Sequence, residues 1–228
     1  YVALGDSLAV GVGASDPATT GYVPLFADYL AMQRGGRHLD TINLGVSGAT
    51  STTLVNGGQL AAAVDELSDR NGNRRRSDDA TVITLDIGGN DAAALVPVCA
   101  GGFTATCVHA VNTTLTTFAA NLHTALAAVR EEAGPRARVI VMTYFNPLVH
   151  PACPFNGAAA LGAIALEGGG PLPAGLNDII RSVAAQYGAA VAETYGLLGP
   201  SDLAGDCLHA NDAGYAKIAE AFALAYGG

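Results

Sequence analysis

A chain of 228 residues, 50% of them apolar and only 14% charged, is long and apolar enough to bury a real core, which excludes a disordered polymer. Its net charge of −9 leaves no basic stripe to neutralise phosphates and argues against a nucleic-acid partner. No apolar run approaches the roughly 18 residues of a membrane span, and the one basic run, Arg74-Arg75-Arg76, sits beside Gly72, Asn73 and Ser77 as a solvated turn would.

Along the chain, strand-like runs alternate with helix-like runs, the pattern of a parallel sheet covered on both faces. Residues 1–4 read as a first strand, so any signal peptide has been removed or left out. A helix is predicted over 22–32, with Val23, Phe26, Tyr29 and Leu30 on one face, and a strand over 39–44. A helix over 58–67 leads to a nearly continuous apolar strand, 81–87, as expected for a strand buried on both faces. The spacing of Leu115, Phe118, Leu122, Leu126 and Val129 predicts a long helix over 112–132, stopped by Gly134-Pro135. A strand over 138–143, a helix over 176–187 and a strand over 189–192 follow. A last helix begins after Asn211-Asp212, which can cap it, and buries Tyr215, Ile218 and Phe222. Two segments, 96–110 and 145–172, break the alternation; a long stretch without clear structure is usually functional or mobile. Both sit on the side where open parallel sheets bind ligands.

Four motifs at predicted element ends carry the chemistry. Gly5-Asp6-Ser7-Leu8 places a hydroxyl just past the first strand, with Gly5 allowing a sharp turn and Asp6 able to bond local amides. A serine hydroxyl needs a base to become a nucleophile. His209 is that candidate, and Asp206, three residues earlier, can accept from its Nδ1–H and stabilise the imidazolium. Acyl transfer also builds charge on a carbonyl oxygen, for which the Ser7 amide, the Gly48 amide and the Asn90 side chain are the candidate donors. Rival readings are weaker. Ser47 sits in Gly45-Val46-Ser47-Gly48-Ala49, a nucleophile elbow broken at Ala49. Gly11-Val12-Gly13 lacks the third glycine of a dinucleotide loop. His38, His109, His123 and His150 show no ligand-like spacing, so no metal is expected; His150 is a candidate for the wall of a substrate groove. No cofactor is expected.

Four cysteines, Cys99, Cys107, Cys153 and Cys207, allow three connectivities. The close pair Cys99 and Cys107 flanks Ala100-Gly101-Gly102 and suits a local clamp, which leaves Cys153 with Cys207. All four fall in predicted loops rather than on apolar faces, which favours disulfides and a secreted protein over buried thiols.

Taken together, Gly5-Asp6-Ser7-Leu8, Asn43 to Thr50 with Gly48, Gly88-Gly89-Asn90-Asp91, and Asp206-Cys207-Leu208-His209 with the later Gly214 resemble the sequence blocks of the SGNH (GDSL-type) hydrolases. The resemblance covers nearly the whole chain. It implies one domain over 1–228, a three-layer α/β/α sandwich with a flavodoxin-like parallel sheet of five strands. It also implies metal-free hydrolysis of carboxylic esters through an acyl-serine, with Ser7, Asp206 and His209 catalytic and Ser7, Gly48 and Asn90 forming the oxyanion hole. Composition and cysteines look like those of secreted actinobacterial esterases and lipases, which often carry a further disulfide early in the chain; here no cysteine precedes Cys99. The expected partner is a small ester or lipid, and the expected state a monomer. A carbohydrate O-acetyl esterase, a thioesterase, an acyltransferase and an inactive binding module of the same fold are the alternatives.

Overall fold

The computed structural model describes residues 1–73, 75, 77–149 and 159–228. Arg74 and Arg76 of the basic turn, His150 and Cys153 lie outside the described residues. Five strands, β1 (Val2–Gly5), β2 (Ile42–Asn43), β3 (Val82–Asp86), β4 (Arg138–Met142) and β5 (Ala190–Ala192), pair in parallel in the order β2-β1-β3-β4-β5. Around them lie α1 (Ser7–Val10), α2 (Pro17–Thr20), α3 (Tyr22–Gln33), α4 (Ser51–Asn56), α5 (Gln59–Asn71), α6 (Gly89–Ala93), α7 (Ala105–Ala133), α8 (Ala159–Glu167), α9 (Leu176–Gln186) and α10 (Asp212–Gly227).

The three central strands are apolar because both faces are covered. Every residue of β1 and β3 is buried, as are the last four of β4, whereas the edge strands are partly open. α3 and α10 pack together on one face, where Tyr22 stacks on Phe222 with ring centroids 4.8 Å apart. On the other face α7 packs between α5 and α9, and Phe118, Leu122 and Leu126 of α7 are buried, as are Leu67 of α5 and Ile180 of α9. This is the three-layer sandwich expected from the alternation. The strand order reverses direction between β1 and β3, so loops leaving their C-terminal ends part in opposite directions and open a crevice.

Several boundaries differ from the sequence reading, each for a local reason. The second strand shrinks from six residues to Ile42–Asn43, because Asn43 turns its side chain onto Ala9 O at 2.6 Å and Gly45 N–H at 3.0 Å. The long helix starts at Ala105 rather than 112, because Thr104 caps it by accepting the Cys107 N–H at 3.2 Å. Cys107 is therefore a fully buried residue of the first turn of α7, not a loop residue. The final helix begins as expected, with Asn211 accepting from Gly214 N–H. Segment 145–172, expected without structure, carries α8.

Cys99 and Cys107 are joined in a disulfide with a Cα–Cα distance of 4.9 Å. Cys207 is also disulfide-bonded. Clamping the eight-residue Cys99–Cys107 separation removes chain entropy from the unfolded state. The double variant Cys99→Ser/Cys107→Ser should accordingly lose about 2–3 kcal/mol of stability in urea titration, with the fold intact by circular dichroism.

Candidate active site

Ser7 opens α1 directly after β1, on the crevice side of the sheet, and is nearly buried. Asp6 is the cap of that helix, accepting the Leu8 N–H at 3.0 Å. The Ser7 Oγ lies 2.8 Å from His209 Nε2, and His209 Nδ1 lies 2.5 Å from Asp206 Oδ2. Residues 202 apart in sequence are thus joined in one relay: hydroxyl, imidazole, carboxylate. The second oxygen of Asp206 accepts the backbone N–H groups of Leu208 and His209, each at 3.0 Å. Burial works to raise the Asp206 carboxyl, but these bonds and the imidazole outweigh it and hold the group below the ordinary carboxylate range. It stays ionised where a histidine partner needs a negative charge.

The loop that presents Asp206 and His209 is tied from several sides. Ala204 N–H donates to His209 O at 2.8 Å, and Leu203 bridges Ala210. Asn211 Nδ2 donates to the carbonyls of Ser201 and Leu203. Asp202 accepts from Lys217 Nζ at 2.7 Å and from Gly199 N–H at 2.7 Å. Cys207, at φ 65°, is the only non-glycine with positive φ among the described residues. Such a conformation costs about 1–3 kcal/mol and persists only where its surroundings determine it; here the Asp206 carboxylate closes the turn across it.

The three candidate donors come from separate segments of the chain. The amides of Ser7 and Gly48 donate to no acceptor among the described residues. Asn90, in α6, gives one side-chain hydrogen to Ala49 O at 2.9 Å, which draws the Gly48 loop beside it and leaves the second hydrogen unused. Asp91 reinforces the same junction, accepting from Ser51 N–H at 2.8 Å and Ser51 Oγ at 2.6 Å. The sequence reading gave Asp91 no role, although its place in the Gly88-Gly89-Asn90-Asp91 block was the available signal. The two glycines of that block do more than let the backbone bend. A Cβ on Gly88, at φ 121°, would fall 2.7 Å from the Phe118 ring, and one on Gly89 would fall 2.5 Å from the Tyr144 ring.

The other candidates stand apart. Ser47 is exposed and bonded to no base among the described residues. His123 packs edge-on against Tyr187, its Nδ1 3.3 Å from the hydroxyl, so it is less solvated than a mid-helix histidine suggests. His38 pairs with Asp40 on the surface. Among the described residues no three His, Cys, Asp or Glu side chains converge as metal ligands would, and no helix is long and apolar enough to cross a membrane.

The model of the GDSL-like lipase/acylhydrolase family matches residues 3–217. No curated protein sequence matches the chain significantly. Among solved structures, a lipase from a goat rumen metagenome is 20% identical, with a TM-score of 0.69 over 99% of this chain and 96% of its own. An extracellular lipase from Streptomyces rimosus is also 20% identical, with a TM-score of 0.62 over 99% and 98%. An acetylxylan esterase from Geobacillus stearothermophilus is 19% identical, with a TM-score of 0.60 over 100% and 93%. At these identities the likeness is one of fold.

The close approach at Gly88 gives a direct test. Gly88→Ala should cost about 1–3 kcal/mol, read as a lowered melting temperature, because the new methyl must push Phe118 or the backbone aside.

Proposed function

The chain belongs to the GDSL-like lipase/acylhydrolase family, and on that premise we propose that it hydrolyses carboxylic esters through an acyl-Ser7 intermediate. The observation that carries the reading is the unbroken bond chain from Ser7 Oγ through His209 to Asp206. Ser7 Oγ attacks the ester carbonyl carbon while its proton passes to His209 Nε2. The carbonyl oxygen becomes an oxyanion that accepts from the Ser7 amide, the Gly48 amide and the free hydrogen of Asn90 Nδ2. Collapse breaks the carbon–oxygen bond to the alcohol, which leaves with the proton from His209. Water then attacks acyl-Ser7, giving its proton to His209, and the acid departs as Ser7 Oγ recovers a proton. Asp206 holds the imidazole so that Nε2 faces Ser7 and stabilises the positive charge of each half-reaction.

The acyl group is lipid-like in this reading. Val46, Val98, Val149, Leu197 and Leu208 are large apolar side chains left exposed, and all lie in loops leaving the C-terminal side of the sheet, where Ser7 sits. An apolar rim there favours a hydrocarbon chain over a sugar. A sugar O-acetyl ester is the competing substrate, and acyl-chain length separates the two. The Cys99–Cys107 disulfide supports a protein that works outside the cytoplasm.

On p-nitrophenyl esters, the wild type should turn over medium acyl chains faster than acetyl. Ser7→Ala should lower kcat/KM by about 10⁴–10⁶, and Asn90→Ala should lower kcat by about 10²–10³. A clear acetyl preference would reassign the substrate, and a wild type inactive on every ester would point to a binding module. Asp206→Asn should retain the fold and lose about 10²–10⁴ in kcat, since the imidazole loses the partner that sets its tautomer.

A further inference from the structure

Beside Ser7 lies a pair of carboxyls that the reaction above does not use. Asp86 ends β3, in register with Gly5 of β1, and its side chain fills the space where a Gly5 side chain would stand: a Cβ there would lie 2.2 Å from Asp86 Oδ1. Asp86 is wholly buried and Asp6 nearly so. Asp86 Oδ2 accepts the Asp6 N–H at 3.1 Å, and Oδ1 accepts the Tyr22 hydroxyl. Asp6 Oδ1 accepts the Leu8 N–H, and Oδ2 accepts the Tyr144 hydroxyl at 2.6 Å. No lysine or arginine forms an ion pair with either among the described residues.

Two adjacent carboxylates without a cation cannot both stay charged in such a place, because burial and mutual repulsion each favour a proton on one of them. A proton held on one of them also lets it donate to the other, which two carboxylates cannot do. We propose that Asp6 and Asp86 form a proton-sharing pair in which Asp86 is the protonated member and donates to Asp6, making Asp86 a positioning residue that holds the Ser7 turn. Its carboxyl reaches the Asp6 amide, one residue before the nucleophile, and its proton reaches the carboxylate that caps α1. The pair then places one negative charge rather than two below the spot where the oxyanion forms.

The surroundings agree. Burial, then the neighbouring Asp6, pushes the Asp86 carboxyl well up, and burial raises Asp6 too, against bonds from Leu8 and Tyr144. The titratable groups facing the pair are Tyr1 of the first strand end, Tyr22 of α3, Tyr144 after β4, Tyr215 of α10 and, beyond Asp6, His209. Burial raises all four tyrosines, so they remain neutral donors while the pair keeps its proton.

The inference rests on the proposed role of Ser7, but its first test needs no substrate. The infrared difference spectrum of wild type minus Asp86→Asn at neutral pH should contain the C=O stretch of a protonated carboxylic acid, shifted in heavy water. A carboxyl with raised proton affinity in the fold costs stability progressively as pH rises above the ordinary carboxyl range. The melting temperature of Asp86→Asn relative to wild type should therefore climb by about 8–16 °C between about pH 5 and about pH 8 if the proton is held throughout that range. In turnover, Asp86→Ala should lose about 10²-fold in kcat with KM little changed, as expected from a misplaced nucleophile. Asp86→Asn keeps a donor for the Asp6 carboxylate but offers one oxygen to the two donors, Tyr22 O–H and Asp6 N–H, and should recover part of that loss. A difference spectrum with only ionised-carboxylate bands would overturn the proposal, whether or not Asp86→Ala folds. So would an Asn variant as slow as the Ala variant. Failure of ester hydrolysis itself would show separately, as an inactive wild type.

Discussion

The turn that carries Ser7 depends on one close approach, the Asp86 carboxyl lying where a side chain on Gly5 would have to be. Parallel pairing sets Gly5 of β1 against Asp86 of β3, so the contact is a consequence of sheet register and not of a flexible loop. From that point both strands run into segments that carry candidate site residues: Ser7 follows Gly5 by two residues and Asn90 follows Asp86 by four. Gln59 locks the same point from α5, donating to Gly5 O at 2.9 Å and accepting the Gly5 N–H at 3.3 Å. Gln59 and Asp86 thus grip the backbone of Gly5 and Asp6, while Tyr22 and Tyr144 hold the carboxyls of Asp86 and Asp6. Their hydrogen bonds are buried, where leaving one donor or acceptor unsatisfied costs about 1–3 kcal/mol, and that penalty makes the geometry of the turn well defined.

The half that carries Asp206 and His209 is built differently. Asp206 and His209 stand on a loop before α10, and His209 keeps about a fifth of its side chain open to solvent. Precision there comes from backbone pairing around Asp202, Leu203 and Ala210, and from Asn211, which both caps α10 and ties the loop to Ser201 and Leu203. Tyr215, one turn into α10, donates to Val12 O at 2.6 Å, just beyond the helix that carries Ser7. The helix that follows the histidine therefore also grips the segment that follows the serine.

Much of this was legible before any coordinates. The central strands announce themselves as apolar runs, and Ser7, Asp206 and His209 lie in short motifs whose spacing suits their geometry. What stayed hidden was set by contacts that periodicity does not encode. Helices α1, α4 and α6 are too short to show a 3.6-residue pattern, and α8 is apolar on all sides, so neither kind presents a stripe. The early start of α7 turned on a threonine cap rather than on its apolar face. Asp86 is the instructive miss. An acid inside Val82-Ile83-Thr84-Leu85-Asp86-Ile87 breaks an otherwise buried run, and a buried carboxyl needs partners. Those partners, Tyr22 and Asp6, come from 64 and 80 residues before Asp86, so only the fold brings them together.

The central claim is that Ser7 is the nucleophile and that the Ser7 amide, the Gly48 amide and Asn90 meet the developing oxyanion. It is tested most directly by a crystal structure of the enzyme inactivated with an alkyl fluorophosphonate. The account predicts a phosphorus–oxygen bond to Ser7 Oγ, with the phosphonyl oxygen about 2.7–3.1 Å from all three donors. A phosphonyl group on another residue, or on Ser7 with its oxygen turned away from Gly48 and Asn90, would contradict it.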